Sequence, residues 1–265
     1  MTPHRSAARR ITLAATAVLL SASLAACGSE DDAGDTSSDG AGDGAGTLTV
    51  LAAASLTDVF ADLATQFEAD HEGSTVEFSF GSSTDLAEQV ADGAPGDVLA
   101  TADETSMTLA EDADVTGDIE TFATNVLTIV TPAGNPAGIE SLDDLDGATW
   151  VRCADEAPCG KVAAAVLADN DITAEPASLE EDVRSTLDKV VSGEADAGLV
   201  YATDAVAAGD EVTAVPIPGA DSEVTSYFTT VLDQSEDADL AQEWVDFVVS
   251  DDGQAILETA GFGAP

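Results

Sequence analysis

Positive charge is what this chain lacks most: seven Lys and Arg stand against 52 Asp and Glu, a formal net charge of −45 at pH 7. Such a surface repels nucleic acid and anionic membrane, which argues against binding either one. Histidine is nearly absent as well, with two in the chain. His4 lies near the N-terminus and His71 falls in the polar run Asp70-His-Glu72, where it is predicted to face solvent, so neither suggests a catalytic base or a metal ligand. There is no Gly-x-Ser-x-Gly elbow, His-Glu-x-x-His, Cys-x-x-Cys pair or phosphate loop, and the spacing of an EF-hand is not met. The many carboxylates could in principle pair for hydrolysis, but nearly all fall on polar helix faces. An enzyme is therefore not the expected reading, and no cofactor is implied.

What the chain does have is enough apolar material, 45% of 265 residues, for one large domain or two ordinary ones. Three of its basic residues, Arg5, Arg9 and Arg10, precede an apolar run from Ile11 to Ala26 that is too short for a comfortable membrane span. The run ends in Leu24-Ala-Ala-Cys27, which resembles the lipobox of bacterial lipoproteins. On that reading residues 1–26 are a signal peptide, cleavage precedes Cys27, and its sulfur carries a diacylglycerol; a plain small-residue cleavage site is the alternative. From Gly28 to Gly46 only Gly, Ala, Ser, Thr, Asp and Glu occur. Residues 27–46 cannot build a core and are expected to be a disordered acidic tether.

Thereafter strands alternate with helices. Thr47 to Ala53 reads as a buried strand that breaks at Ser55 into a helix whose apolar face carries Leu56, Val59, Phe60, Leu63 and Phe67. The arrangement recurs: a strand over 74–80 leads to a helix behind Ser83, a strand over 148–152 to a helix behind Pro158-Cys-Gly160, and a strand over 196–201 to a helix from about Thr203. A further helix within 180–193 has Val183, Leu187, Val190 and Val191 on its apolar face. Strands are also expected near 97–101, 125–131, 212–217 and 224–232. This alternation predicts α/β architecture with mostly parallel sheets. Helix N-termini that follow strands offer free N–H groups and the positive end of the helix dipole, and together such junctions could wrap a small oxyanion with neutral donors.

From Thr47 to Gly263 the chain resembles the periplasmic molybdate-binding proteins of ABC transporters. The resemblance is carried by Ala52-Ala-Ala-Ser-Leu-Thr-Asp58, Phe80-Gly-Ser-Ser83, Gly93-Ala-Pro-Gly-Asp97, Asp182-Val-Arg184, Gly193-Glu-Ala-Asp-Ala-Gly-Leu-Val-Tyr201 and Thr203-Asp-Ala205. It implies a two-lobed periplasmic-binding-protein fold of type II, each lobe a sheet flanked by helices, with the chain crossing between lobes twice. Lobe one is expected at 47–125 and 226–265, lobe two at 126–225. The resemblance also implies an anion held by Ser55, Ser83, Cys159, Val183 and Tyr201: hydroxyl and N–H groups at the serines, backbone N–H groups at Cys159 and Val183, and the phenol of Tyr201. Where the family more often has alanine, this chain has Cys159, a change that backbone donation tolerates.

The implied function is an extracytoplasmic receptor, lipid-anchored at Cys27 and monomeric, that captures molybdate or tungstate for an ABC permease. A receptor for sulfate or another tetrahedral oxyanion is the alternative in the same class, and a carboxylate-based hydrolase the alternative outside it. With Cys27 lipidated, Cys153 and Cys159 remain in an exported, oxidising setting and are expected to form a disulfide, two reduced thiols being the other possibility.

Overall fold

The computed structural model describes residues 46–265. The proposed signal peptide, Cys27 and all but the end of the tether lie outside the described residues. Two five-stranded sheets organise the molecule. The first contains β1 (Thr47–Ala53), β2 (Thr75–Gly81), β3 (Val98–Thr101), β4 (Thr116–Asn125) and β10 (Thr225–Leu232), in the order β2-β1-β3-β10-β4. The second contains β5 (Leu127–Pro132), β6 (Trp150–Cys153), β7 (Ser178–Glu180), β8 (Ala197–Tyr201) and β9 (Val212–Pro216), in the order β7-β6-β8-β5-β9. The chain passes from the first sheet to the second at Val126 and returns between β9 and β10, so the two-lobed α/β fold is present with two crossings.

The sheets are not mostly parallel. β1 pairs in parallel with β2 and β3, and β6 with β7 and β8, whereas β10 runs antiparallel to β3 and β4, and β5 antiparallel to β8 and β9. The cause is the pair of crossings. β4, β5, β9 and β10 are the strands that flank them, and every antiparallel pairing involves one of these strands.

The alternation of β1 sorts its side chains to two cores. Leu48, Val50 and Ala52 face α1 (Thr57–Asp70), α7 (Ala238–Val249) and α8 (Asp251–Thr259), while Leu51 faces α2 (Ser83–Ala91) and α3 (Glu104–Asp112). The expected face of α1 is buried throughout, and Phe60 and Phe67 each meet Trp244 edge to face with ring centroids 5.6 and 5.3 Å apart. His71 is not free in solvent as its polar neighbours suggest. It stacks on Phe67 at the end of α1, its Nδ1 lies 2.9 Å from the Phe67 carbonyl, and its Nε2 is 3.3 Å from Glu243.

The second core joins β5, β6 and β8 to α4 (Pro158–Asp169) and α5 (Val183–Val191) through Ile129, Trp150, Val166, Leu187 and Leu199. Val183, Leu187 and Val190 are buried as expected, but Val191 is 38% exposed. It ends the helix and points off the apolar stripe that the other three define.

The motif Gly93-Ala-Pro-Gly-Asp97 is structural. A Cβ on Gly96 would come within 2.1 Å of Leu51 Cδ1, so any other residue here would have to push the buried Leu51 side chain aside. The buried carboxylate of Asp97 accepts from the Thr49 N–H at 2.7 Å, the Ser235 hydroxyl at 2.7 Å and the Glu236 N–H at 3.1 Å, tying the edge of β1 to the segment before α7.

Candidate oxyanion site

Ser55, Ser83, Cys159, Val183 and Tyr201 line one narrow cavity at the ends of β1, β2 and β8. Ser55 is the middle residue of a 3-10 turn, Ala54–Leu56, that links β1 to α1. Ser83 and Val183 are the first residues of α2 and α5, where N–H groups have no acceptor within the helix. In α4 the first position is Pro158, which has no N–H, so the first available donor falls on Cys159. Tyr201 ends β8 and is 1% exposed.

Local packing holds these donors in place. Cys153 and Cys159 form a disulfide with Cα atoms 5.7 Å apart, which ties the first turn of α4 to the end of β6. A Cβ on Gly160 would lie 1.8 Å from the Ala154 carbonyl oxygen, so glycine is what lets the turn close against that carbonyl. The Ser83 Oγ accepts from the Ala102 N–H at 2.9 Å, which leaves its proton free to be donated. The Ser55 Oγ lies 2.9 Å from the phenol oxygen of Tyr227. Among the described residues the buried Tyr201 hydroxyl makes no well-formed hydrogen bond, and neither does the Thr225 hydroxyl beside it. Leaving such a group unsatisfied costs about 1–3 kcal/mol, and an acceptor in the cavity would remove that cost. Burial, with Tyr227 nearby, pushes the Tyr201 phenol well above its ordinary value, so it stays a donor at every physiological pH.

Among the described residues no cation lines the cavity. Each of the four Lys and Arg side chains among the described residues is engaged with a carboxylate: Arg152 with Asp155 at 2.6 Å, Lys161 with Asp103 at 2.7 Å, Arg184 with Asp58 at 2.6 Å and Lys189 with Glu194 at 2.7 Å. Asp182 does reach the cavity wall, but its Oδ1 accepts from the Ser185 N–H at 2.8 Å and caps α5. A wider groove borders Ser55 on its other side and carries Asp58, Asp62 and Asp204. Those carboxyl groups make it a poor place for an anion. Among the described residues no group of His, Cys, Asp and Glu is arranged to hold a metal ion.

Sequence reasoning did not single out Tyr227, Asn125 or Asp204, all buried beside this cavity. Asp204 accepts from the Tyr201 N–H at 3.0 Å, and burial pushes its carboxyl up to about 7 even though Arg184 and that N–H pull it down.

Residues 48–263 match the family described as bacterial extracellular solute-binding protein. The chain is 39% identical over 250 residues to the molybdate-binding protein ModA of Mycobacterium tuberculosis, an alignment covering 93% of this chain and 95% of that protein. In fold it is similar to the periplasmic molybdate-binding protein of Azotobacter vinelandii, with a TM-score of 0.74 and 22% identity, covering 82% of this chain and 99% of that one. It is also similar to the sulfate-binding protein SubI of M. tuberculosis, with a TM-score of 0.73 and 22% identity, covering 82% and 86%. The chain belongs to the bacterial extracellular solute-binding protein family.

Proposed function

We propose that this protein captures molybdate, and tungstate as its near-isostere, outside the cytoplasm and delivers it to the permease of an ABC importer. The observation that carries the reading is a cavity formed at three helix N-termini and a 3-10 turn, lined by hydroxyl and N–H donors and, among the described residues, by no cation. In this reading Ser55, Ser83, Cys159, Val183 and Tyr201 bind the oxyanion, residues 47–125 and 226–265 form lobe one, and residues 126–225 form lobe two. The ModA relative supports the choice of molybdate among oxyanions.

Neutral donors suit a dianion inside a protein of this charge. A buried cation would also attract phosphate and carboxylates, whereas fixed N–H and O–H groups offer a protonated oxygen nothing to donate to. Exclusion of water as the lobes close strengthens each hydrogen bond. Sulfate, fully ionised like molybdate but smaller, would leave some donors out of reach. Export under a signal peptide of residues 1–26, a lipid anchor at Cys27, a tether over 27–46 and a monomeric state complete the reading.

Calorimetric titration of the purified protein with molybdate, tungstate, sulfate and phosphate tests it. Tight binding of the first two and weak or no binding of the others is expected. Preference for sulfate would reassign the ligand, and failure to bind any of the four would reject the reading.

A further inference from the structure

A chain of buried hydrogen bonds runs from the crossing between the two sheets to Ser55. At its head, Asn125 is the last residue of β4, separated from β5 by Val126 alone. Its Oδ1 accepts from the Val126 N–H at 3.0 Å, which fixes the orientation of the amide. The Nδ2 group therefore faces the other way and donates to the Thr203 hydroxyl at 2.7 Å and to the Tyr227 phenol oxygen at 3.3 Å. Having accepted there, Tyr227 has its own proton to place, and the Ser55 Oγ lies 2.9 Å away. Ser55, Asn125, Thr203 and Tyr227 are at most 8% exposed, so water does not compete for these bonds.

The order of donation is thereby one-way. If Ser55 donated to Tyr227, the phenol proton would be left facing an amide NH₂ that cannot accept it. Tyr227 therefore donates to Ser55, so the Ser55 Oγ is occupied as an acceptor and its own proton is free for a group in the cavity that it lines. We propose that Tyr227, oriented by Asn125, is a positioning residue that holds the Ser55 hydroxyl as a donor and so makes the site select fully deprotonated oxyanions. This rests on the reading that Ser55 contacts the bound anion. Without the Tyr227 hydroxyl, Ser55 could turn and accept a proton from hydrogen phosphate.

The test is a double-mutant cycle on the full receptor domain, with Kd for molybdate measured by calorimetry and hydrogen phosphate measured by competition at pH 7. Tyr227→Phe removes one oxygen and keeps the ring against Phe122, Tyr201 and Phe262. It should weaken molybdate by about five- to tenfold, in the range of one hydrogen bond. In the Ser55→Ala background the same change should alter Kd by less than about twofold, because the group it acts through is gone. It should also narrow the preference for molybdate over hydrogen phosphate, whereas general loosening would weaken both anions by the same factor. Equal losses in both backgrounds, or an unchanged preference, would overturn the proposal while leaving molybdate binding intact. A wild-type protein that binds no oxyanion would remove the functional reading itself and this proposal with it.

Discussion

Arg184, at the start of α5, donates from Nη1 to the Oδ2 of Asp58 on α1 at 2.6 Å, joining an element of the second lobe to one of the first. Lys161 on α4 does the same with Asp103 at 2.7 Å, and the Thr84 hydroxyl donates to the Glu156 carbonyl at 2.7 Å. With only four cations among the described residues, two are placed to bridge the lobes beside the cavity rather than inside it. Both pairs are partly exposed, so each is worth less than about 1 kcal/mol. Arg184→Met with Lys161→Met should weaken molybdate by about tenfold or less and reduce the dependence of Kd on salt. Titrations at low and high ionic strength check this; an unchanged salt dependence would contradict it.

The Cys153–Cys159 disulfide encloses a short loop, for which chain entropy supplies roughly 2 kcal/mol. Cys153→Ser with Cys159→Ser should lower the midpoint of thermal unfolding measurably. On the proposed reading Cys159 binds through its backbone N–H, so molybdate affinity should fall by only a fewfold through loss of rigidity. Calorimetric unfolding and titration of the double variant separate the two effects. Complete loss of binding in a folded variant would show that the bridge does more than hold the turn.

Asp204 makes stability depend on pH. Its folded-state value of about 7 lies above the ordinary 3.8, so the folded protein keeps this proton longer than the unfolded chain does. The cost of ionising it in the folded state is absent below about pH 4, grows as pH rises toward 7 and is fully present above that. Asp204→Asn retains an acceptor for the Tyr201 N–H and removes the charge. Its unfolding midpoint relative to wild type should therefore rise between pH 5 and pH 8. A difference that does not change with pH would mean that Asp204 is ionised in the folded protein throughout that range.

Cys27 lies outside the described residues, and its role rests on the sequence Leu24-Ala-Ala-Cys27. Intact-mass measurement of protein extracted from membranes should show loss of residues 1–26 and a diacylglycerol-sized addition. An unmodified product that starts elsewhere would contradict lipidation.

Much of the fold was legible because its signals are local. The face of α1, from Leu56 to Phe67, is a period that depends on no partner, and the small residues around Ser55, Ser83 and Cys159 mark turns by their chemistry. The ten-residue strand β4 was not legible. Thr116-Gly-Asp-Ile-Glu-Thr-Phe-Ala-Thr-Asn125 mixes glycine and acids with few apolar residues, and its register against β10 slips at two places. Its strand character comes from pairing with β10, 100 or more positions away. β7 escaped for a simpler reason, being three residues long. The five proposed site residues rest on resemblance, since a free N–H on Val183 or Cys159 leaves no trace in side-chain type. Tyr227 and Asn125 were missed because each acts through partners distant in sequence, Ser55 and Thr203, and Asp204 because a carboxyl at a helix start reads as one more acid in an acidic chain, its burial being set by tertiary packing.

The most direct test is to compare the molybdate affinity of Tyr201→Phe with those of Arg184→Ala and Lys161→Ala in one calorimetric series. Tyr201→Phe deletes a buried hydroxyl that makes no well-formed hydrogen bond among the described residues, and should weaken binding by about 1.5–3 kcal/mol, the range for a hydrogen bond to a charged group. Each cation variant should cost less than about 1 kcal/mol. If Tyr201→Phe binds as wild type does while either cation variant abolishes binding, the anion is held by charge, and a site of neutral donors is wrong.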